Sequence, residues 1–436
     1  MNAALPEPSP RNILVVYYAT EYPLRATIYD HLYSFRRHSR HRVFYLNIAT
    51  RKLPPYFKKI SFDLIVFHTI LLGRWHRDLF WSTVAPIRAL ANLPATKVAL
   101  PQDEFLNTDL LVEFVRDYGV QQIYSVAPPS EWPTIYAGID VGRVQLHRVL
   151  TGYLEPETIK RIEQIAAQNP PRTIDIGYRA YRAEPWLGRF GWRKRQLAEV
   201  LSAEAPGWGL QVDISSRPQD TFLSDEWYHF LLRCKYAAGV EGGASLLDRD
   251  GSIKHASERY LASNPDAGFE EVEQACFPHV DGNLCLNALA PRHLEACATR
   301  TCQLLVEGDY NGILQPGKHY IEIHKDFSNL AEVLDLVRQD RLRDQMVANA
   351  YRDIVQSNKY TYQQFVDFVL STALADAPTR DRSAEDDTAY RRALEDDRKS
   401  WQKVKRISAI VRRIPTNVRG VGRVTQWLRK IYLALR

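Results

Sequence analysis

Short runs of β-branched and aromatic residues punctuate the first third of the chain, separated by longer stretches of mixed polarity. Asn12–Tyr18 (NILVVYY), Arg42–Ile48, Phe62–Thr69 (FDLIVFHT), Thr96–Leu100 and Gln121–Val126 are such runs. A strand with one wet face alternates apolar and polar residues; near-continuous apolar runs of this length predict strands buried on both faces. Between them, Arg25–Arg37 and Leu110–Tyr118 carry apolar residues at helical spacing. The repeated strand, helix, strand order predicts a parallel sheet with right-handed crossovers, a doubly wound domain over residues 11–155.

Around Thr151–Pro171 the pattern lapses into a polar helix (ETIKRIEQIAAQ) and then Asn-Pro-Pro, where proline stops the helix and stiffens a linker. A second α/β series is expected over residues 170–375. Its predicted strands are Thr173–Tyr178 (TIDIGY), Leu210–Ile214, Tyr236–Val240, Cys302–Val306 and His319–Ile323. A polar insert, about 245–283, separates the third from the fourth and reads as a loop or helical hairpin. Helical periodicity over Leu330–Val355 and Thr361–Leu374 is expected to close this second domain. Residues 376–399 carry dense charge of both signs, which predicts a solvated helix or flexible linker rather than core.

At 436 residues, 45% hydrophobic and 25% charged, the chain has the size and mix of a soluble protein of two domains plus a tail. No apolar segment precedes the first predicted strand, and no run reaches the ~18 apolar residues of a spanning helix, so neither a standard secretion signal nor a membrane span is expected. The five cysteines (234, 276, 285, 297 and 302) show no CxxC spacing, which suggests reduced core thiols and a cytoplasmic setting. Net charge is +6, concentrated at the end: from Lys399 to Arg436 there is no Asp or Glu. The body is then close to neutral, which argues against nucleic acid as a partner. In the tail, Val404, Ile407, Val411 and Ile414, then Val424, Trp427, Leu428, Ile431 and Leu435, recur at helical spacing among Lys and Arg. Residues 401–436 therefore predict a basic amphipathic helix, broken near Pro415 and Gly420, for an anionic membrane surface or for packing on the enzyme body.

In open parallel sheets ligands bind beyond the carboxyl ends of the strands. In the first domain those positions hold Tyr18–Glu21, His68-Thr69 and Gln102-Asp103-Glu104-Phe105; in the second, Tyr178-Arg179, Asp213–Ser215, Glu241–Ser245 and Glu307–Tyr310. No GxGxxG follows the first strand and no GxxxxGK[ST] occurs, which argues against dinucleotide redox chemistry and P-loop NTP hydrolysis.

Pro291-Arg-His-Leu-Glu-Ala-Cys-Ala298, the strand CQLLVEG and Gly312-Ile-Leu-Gln-Pro-Gly317 resemble the donor half of retaining GT-B glycosyltransferases of the bacterial polysaccharide or glycolipid type, with PRHLEA and HYIEI as the closest matches. The likeness covers about 173–374. It implies two Rossmann-like domains facing a cleft, with a nucleotide-sugar donor on the C-terminal domain and a glycan or lipid-linked acceptor on the N-terminal one. It implies transfer with retention and no cofactor or metal. Glu295 then takes the ribose hydroxyls, since a carboxylate accepts two hydrogen bonds from a vicinal diol. Arg292 and His293 share that block. Asn287 stands where the family has its other glutamate, and Glu241, with Gly242 and Gly243 letting backbone amides approach the sugar or phosphate, is assigned that role instead. Arg179 and Lys194 match the phosphate clamp, with Arg182 and Arg189 as competitors, and the amides of the helix after Gly191 add to the anion site.

On the acceptor side, His68, Asp103 and Glu104 are the candidates to orient the hydroxyl or take its proton. Asp248-Arg-Asp250 spells a DxD, but DRDG is also a common turn sequence, so no metal is expected there. Two other readings remain open. One is a catalytically inactive scaffold of the same fold binding a glycan or protein, which Asn287 favours. The other is a nucleotide-sugar epimerase on this fold.

Overall fold

The computed structural model describes residues 10–73, 76–375 and 384–412. Six parallel strands form the first sheet: β1 (Asn12–Tyr17), β2 (Arg42–Asn47), β3 (Leu64–Phe67), β4 (Thr96–Ala99), β5 (Gln122–Ser125) and β6 (Gln145–Arg148), in the order β2-β1-β3-β4-β5-β6. Alternate residues explain the unbroken apolar runs. Ile13, Val15, Val43, Tyr45, Leu64 and Val66 face one core, while Leu14, Val16, Phe44, Leu46, Ile65 and Phe67 face another, so neither side of the sheet meets water. The strand β6 was not predicted. Its sequence, QLHR, is polar because it is an edge strand with half-exposed side chains.

The second sheet contains β7 (Ile174–Arg179), β8 (Val212–Ser215), β9 (Cys234–Gly239), β12 (Cys302–Val306) and β13 (Ile321–Ile323). All its pairs are parallel, in the order β13-β12-β9-β7-β8. Between β9 and β12 a small antiparallel pair, β10 (Gly242–Ala244) with β11 (Leu286–Ala288), frames the insert. The insert holds the helices Ser252–Ser263 and Phe269–Cys276, packed together as a hairpin around Leu246, Phe269 and Val272. Each sheet thus belongs to a doubly wound α/β unit.

The two C-terminal helices differ from expectation. Tyr362–Ala373 does not close the second domain: Tyr362, Phe365, Val366 and Val369 join Ile13, Val15 and Tyr45 in the core of the first. The crossing is pinned where Leu154 N–H donates to Tyr360 O (2.8 Å) and Tyr362 N–H to Leu154 O (3.0 Å).

Helix Ala384–Arg412 is not a solvated linker; it docks on the first domain beside β2. Its charged composition misled because the docking face is itself polar. Asp397 is buried and accepts from Tyr17 Oη (3.2 Å), from Tyr33 Oη (3.2 Å to Oδ2) and from Arg36 Nη1 (3.2 Å). Ser400 shares a hydrogen bond with Thr50 (2.7 Å), Asp396 pairs with Arg51 (2.8 Å), and Trp401 stacks on Tyr17. Val404 and Ser408 are buried against the body, so the tail packs inward at these positions, while 413–436 lie outside the described residues. Among the described residues no helix is long and apolar enough to cross a membrane.

Replacing Asp397 by Ala strips Arg36 and two tyrosines of their acceptor. We expect a loss of about 2 kcal/mol, less than the ~3–5 of a fully buried pair because Arg36 keeps some solvent contact. A lower urea midpoint for Asp397→Ala, with Leu394→Ala on the exposed face near wild type, is the check.

Candidate functional site

A cleft of about 230 Å³ opens between the two units, beyond the carboxyl ends of the second sheet's strands. One wall is Arg25, Ala26 and Thr27, from the loop after β1 and the start of the next helix. The other is built from the ends of β7 and β8, the segment that follows β8, and the first turns of helix Pro291–Ala298.

Arg179 is the last residue of β7 and pairs in register with Ser215 at the end of β8, which sets its side chain at the floor of the cleft. Its Nη2 donates to Asp213 Oδ1 (2.7 Å) and its Nη1 to Asp213 O (2.8 Å), while the guanidinium lies over Phe222 and Phe230 at 4.9 and 4.6 Å. Its Nε is buried without a hydrogen-bond partner. Arg292 Nη1 donates to the backbone carbonyl of Arg179 (2.6 Å), and both residues line the cleft. Proline at the first helical position, Pro291, starts the helix that carries Arg292, and no side chain caps this end.

Glu295 stands one turn beyond Arg292 on the same helix face. It accepts from Trp227 Nε1 (2.7 Å). Desolvation pushes its carboxyl up to about 7, against Trp227 and Arg292, which favour the ionised form. Lys194, on helix Gly188–Glu204, is pushed down to about 8, first by desolvation and then by Arg292, with Asp103 opposing. Its Nζ lies 5.4 Å from the ring centre of Tyr181. Asp103 comes from the first domain. It keeps solvent contact, yet the loss of bulk water between the domains raises its carboxyl, with Lys194 opposing. Positive charge is therefore concentrated in a partly desolvated space, beside a carboxylate placed to accept from hydroxyls. That suits an anion carrying a diol.

Of the residues singled out in the sequence, Arg179, Ser215, Arg292 and Glu295 line this cleft; Lys194 and Asp103 are outside its lining but interact electrostatically with each other, and Lys194 with Arg292. The others do not join them. Glu241 is buried under the loop after β12, where its carboxylate accepts from Tyr310 N–H (2.6 Å) and Asp309 N–H (3.3 Å). Gly242 and Gly243 belong to β10; Gly243 has φ +124°, and a Cβ there would meet Leu286 O at 2.0 Å, so the hairpin rather than a ligand requires glycine.

His68 is fully buried, accepts from Ile70 N–H at a helix start and pairs with His31 (2.8 Å between ring nitrogens). Burial and His31 hold it well below its ordinary value. Glu104 is buried too, and is claimed by Ser125 Oγ, Tyr136 Oη and Val126 N–H. Its carboxyl is raised to about 7 by burial against those donors. His293 faces the core, its ring nitrogens against Gln303 Oε1 (3.0 Å) and Val240 O (3.2 Å), and desolvation lowers it to about 4.

Arg182 is exposed and outside the cleft lining. Arg189 is tied to Glu270 and Glu273 of the insert. Its helix begins at Gly188, before Gly191, and the first amides already donate to Asp281 and Ser245, so they offer no anion site. In the DxD stretch Asp248 accepts from Gly251, Ile253 and Lys254 N–H and Asp250 from Ser252 N–H, a turn and helix start. Among the described residues no cluster of three or more His, Cys, Asp or Glu is placed to hold a metal ion.

Residues missed in the sequence are Arg25, Thr27, Phe222 and Trp227. The strand-end rule marked Asp213 and Ser215, and extending it along the following segment reaches Phe222 and Trp227. No local signal marked Arg25.

No protein-family model matches the chain, and no curated protein sequence matches it. Among solved structures it is similar to Anabaena HepE in complex with UDP-glucose: 11% identity, 83% of this chain and 99% of that one covered, TM-score 0.45. It is similar also to phage T4 β-glucosyltransferase (12%, 83% and 99%, 0.46) and to AviGT4, a glycosyltransferase involved in avilamycin A biosynthesis (10%, 84% and 97%, 0.45). At these identities the likeness describes overall shape alone.

The Lys194 environment is directly measurable. With ¹³C-methylated lysines, the Lys194 resonance should titrate near 8, move lower in Asp103→Asn, which removes the opposing charge, and move higher in Arg292→Met. A titration at the ordinary lysine value in all three would contradict the described cleft.

Proposed function

We propose that this chain is a glycosyltransferase that binds a nucleotide-sugar donor in the cleft and transfers the sugar to a hydroxyl acceptor presented by the first domain. The observation that carries this reading is the convergence of Arg179, Arg292 and Glu295 on one wall, with Lys194 beside them. When the bond from the sugar's anomeric carbon to the diphosphate breaks, the electron pair goes to the phosphate oxygen. Cations already fixed at that point stabilise the growing charge with little reorganisation. Arg179 is held by Asp213 and two aromatic rings, Arg292 by a carbonyl, so both are preorganised. Glu295, raised to about 7 by desolvation, is drawn to its ionised form when the ribose diol donates to it.

The acceptor oxygen forms the new bond to the anomeric carbon. Asp103, the one acceptor-side candidate not enclosed in the core, is assigned to orient that hydroxyl. The resemblance favours retention, in which the acceptor approaches from the face of the departing phosphate, whose oxygen takes the hydroxyl proton. The basic segment 413–436 is assigned to an anionic membrane surface, which suits a lipid-linked acceptor.

A binding scaffold without turnover is the second reading. It is favoured by Asn287 at the place of the family's other glutamate and by the commitment of Glu241 to backbone amides.

Thermal-shift measurements against UDP-, GDP-, CMP- and dTDP-sugars should find one nucleotide that raises the melting temperature, and Glu295→Gln should weaken it about tenfold, ~1.4 kcal/mol. No shift with any nucleotide sugar would end the reading; binding without donor turnover under any acceptor would favour the scaffold. Affinity should fall as pH rises through about 8, because the diphosphate favours protonated Lys194, and Lys194→Arg, which stays charged, should flatten that dependence.

A further inference from the structure

Helix Pro291–Ala298 brings Arg292 and Glu295 to the cleft, yet no residue of its own caps its start. Eight residues are too few to hold a helix in water by themselves, and the proline at the first position has no N–H to give. His293 ties the buried side of the helix to Gln303 and Val240. The chain entering the first turn must be held by something else, because a displacement there is carried to both ligand-facing side chains.

Leu289, two residues before Pro291, is buried (1% exposed), so both of its backbone groups need partners. Its N–H donates to Asn311 Oδ1 (2.7 Å), and its carbonyl accepts from Thr151 Oγ1 (2.7 Å). These two side chains come from distant parts of the chain. Thr151 lies on the segment that leaves β6, and its own carbonyl accepts from Gln102 Nε2 (2.8 Å), just beyond β4. Beside it, Gly152 lies so close to the helix start that a Cβ there would meet Pro291 Cγ at 2.8 Å. Asn311 lies in the turn after β12, where Tyr310 and Asn311 have φ +46° and +56°. Residues with side chains adopt that left-handed backbone only when it is held in place. Glu241 holds it here, accepting from Tyr310 N–H and Asp309 N–H.

We infer that Thr151 and Asn311 are positioning residues which, through the backbone of Leu289, set Arg292 and Glu295 for the ligand of the cleft. The identity of that ligand rests on the donor reading; the placement of the two side chains does not. Thr151 thereby gives the first domain a share in a wall that stands on the second. Glu241, which touches no ligand-facing group, acts on the same wall through the turn that carries Asn311.

Trp227 reports on that placement without any ligand, because its Nε1–H donates to Glu295 (2.7 Å) from a different helix, Glu226–Arg233. In the full chain with ¹⁵N-labelled tryptophan, and Trp227→Phe to assign the signal, the indole resonance should follow the Glu295 titration near 7. Desolvation raises that carboxyl, with Trp227 and Arg292 opposing and Asp30 adding to the rise. Thr151→Val keeps the shape and removes the hydroxyl; Asn311→Gly suits the left-handed backbone and removes the carboxamide. Each should displace the Trp227 resonance and lower the midpoint toward the ordinary carboxylate value as water gains access, while Thr151→Ser keeps both at wild type. The nucleotide probes are UDP, GDP, dTDP and CMP. Whichever binds the wild-type protein should bind each of the two variants about fivefold more weakly, the order of one hydrogen bond, and Thr151→Ser normally. Side chains that serve stability alone would lower the melting temperature and leave resonance, midpoint and affinity unchanged. That result in both variants overturns the inference, as does a Thr151→Ser protein that behaves like Thr151→Val. If one variant fails to fold, the other, from a separate segment, decides. If no nucleotide binds the wild-type protein, the donor reading fails, and the Trp227 comparison still decides the roles of Thr151 and Asn311.

Discussion

The proposed function depends on cations brought to one wall of the cleft, Arg179 and Arg292, of which Arg179 alone has a direct ion pair among the described residues, with Asp213. Arg292 donates to the backbone carbonyl of Arg179, and Lys194 is lowered to about 8, first by the loss of water around it and then by Arg292. Like charges in such a space repel, and a chain folding for stability alone would gain by separating them. Asp213 and Asp103 offset the repulsion in part. Under the proposed function, the donor's diphosphate is the anion that fills the remaining deficit.

The cations stand on the second domain, and two sets of contacts tie that domain to the first. From below, the DRDG turn joins them: Asn107 N–H donates to Asp248 O (2.7 Å), and Arg249 reaches Asp109 (3.2 Å) and Thr134 O (2.7 Å). The stretch that spells a metal motif thus serves as an interdomain clasp. On the other side, helix Tyr362–Ala373 crosses back to fill the core of the first sheet, and the long helix after it covers the tyrosines of β1 and β2. The chain leaves the first domain, builds the second, and returns, so relative movement of the cleft walls must work against two connections.

Both sheets were legible in the sequence because strands buried on two faces must be apolar throughout, and short unbroken apolar runs rarely arise elsewhere in a soluble chain. The strand β6 was not legible, since an edge strand can be polar. Neither was the docking of Ala384–Arg412, because Asp397, Ser400 and Asp396 form a polar interface that looks like a solvated face until its partners are known. At the site, residues at the ends of β7 and on the helix that opens with Pro291 were found by position. The errors share one cause. Glu241, Glu104 and His68 also stand at strand ends, but there the loop's own amides and hydroxyls need acceptors, and a polar residue at a strand end serves the backbone as readily as a ligand.

Where a bound nucleotide sits is the most direct question to put to this molecule. In a crystal soaked with the nucleotide that stabilises the protein, the diphosphate should lie between Arg179 and Arg292, within reach of Lys194, with its ribose hydroxyls on Glu295. A nucleotide bound elsewhere, or one lying in the cleft with its phosphates turned away from both arginines, would contradict the assignment.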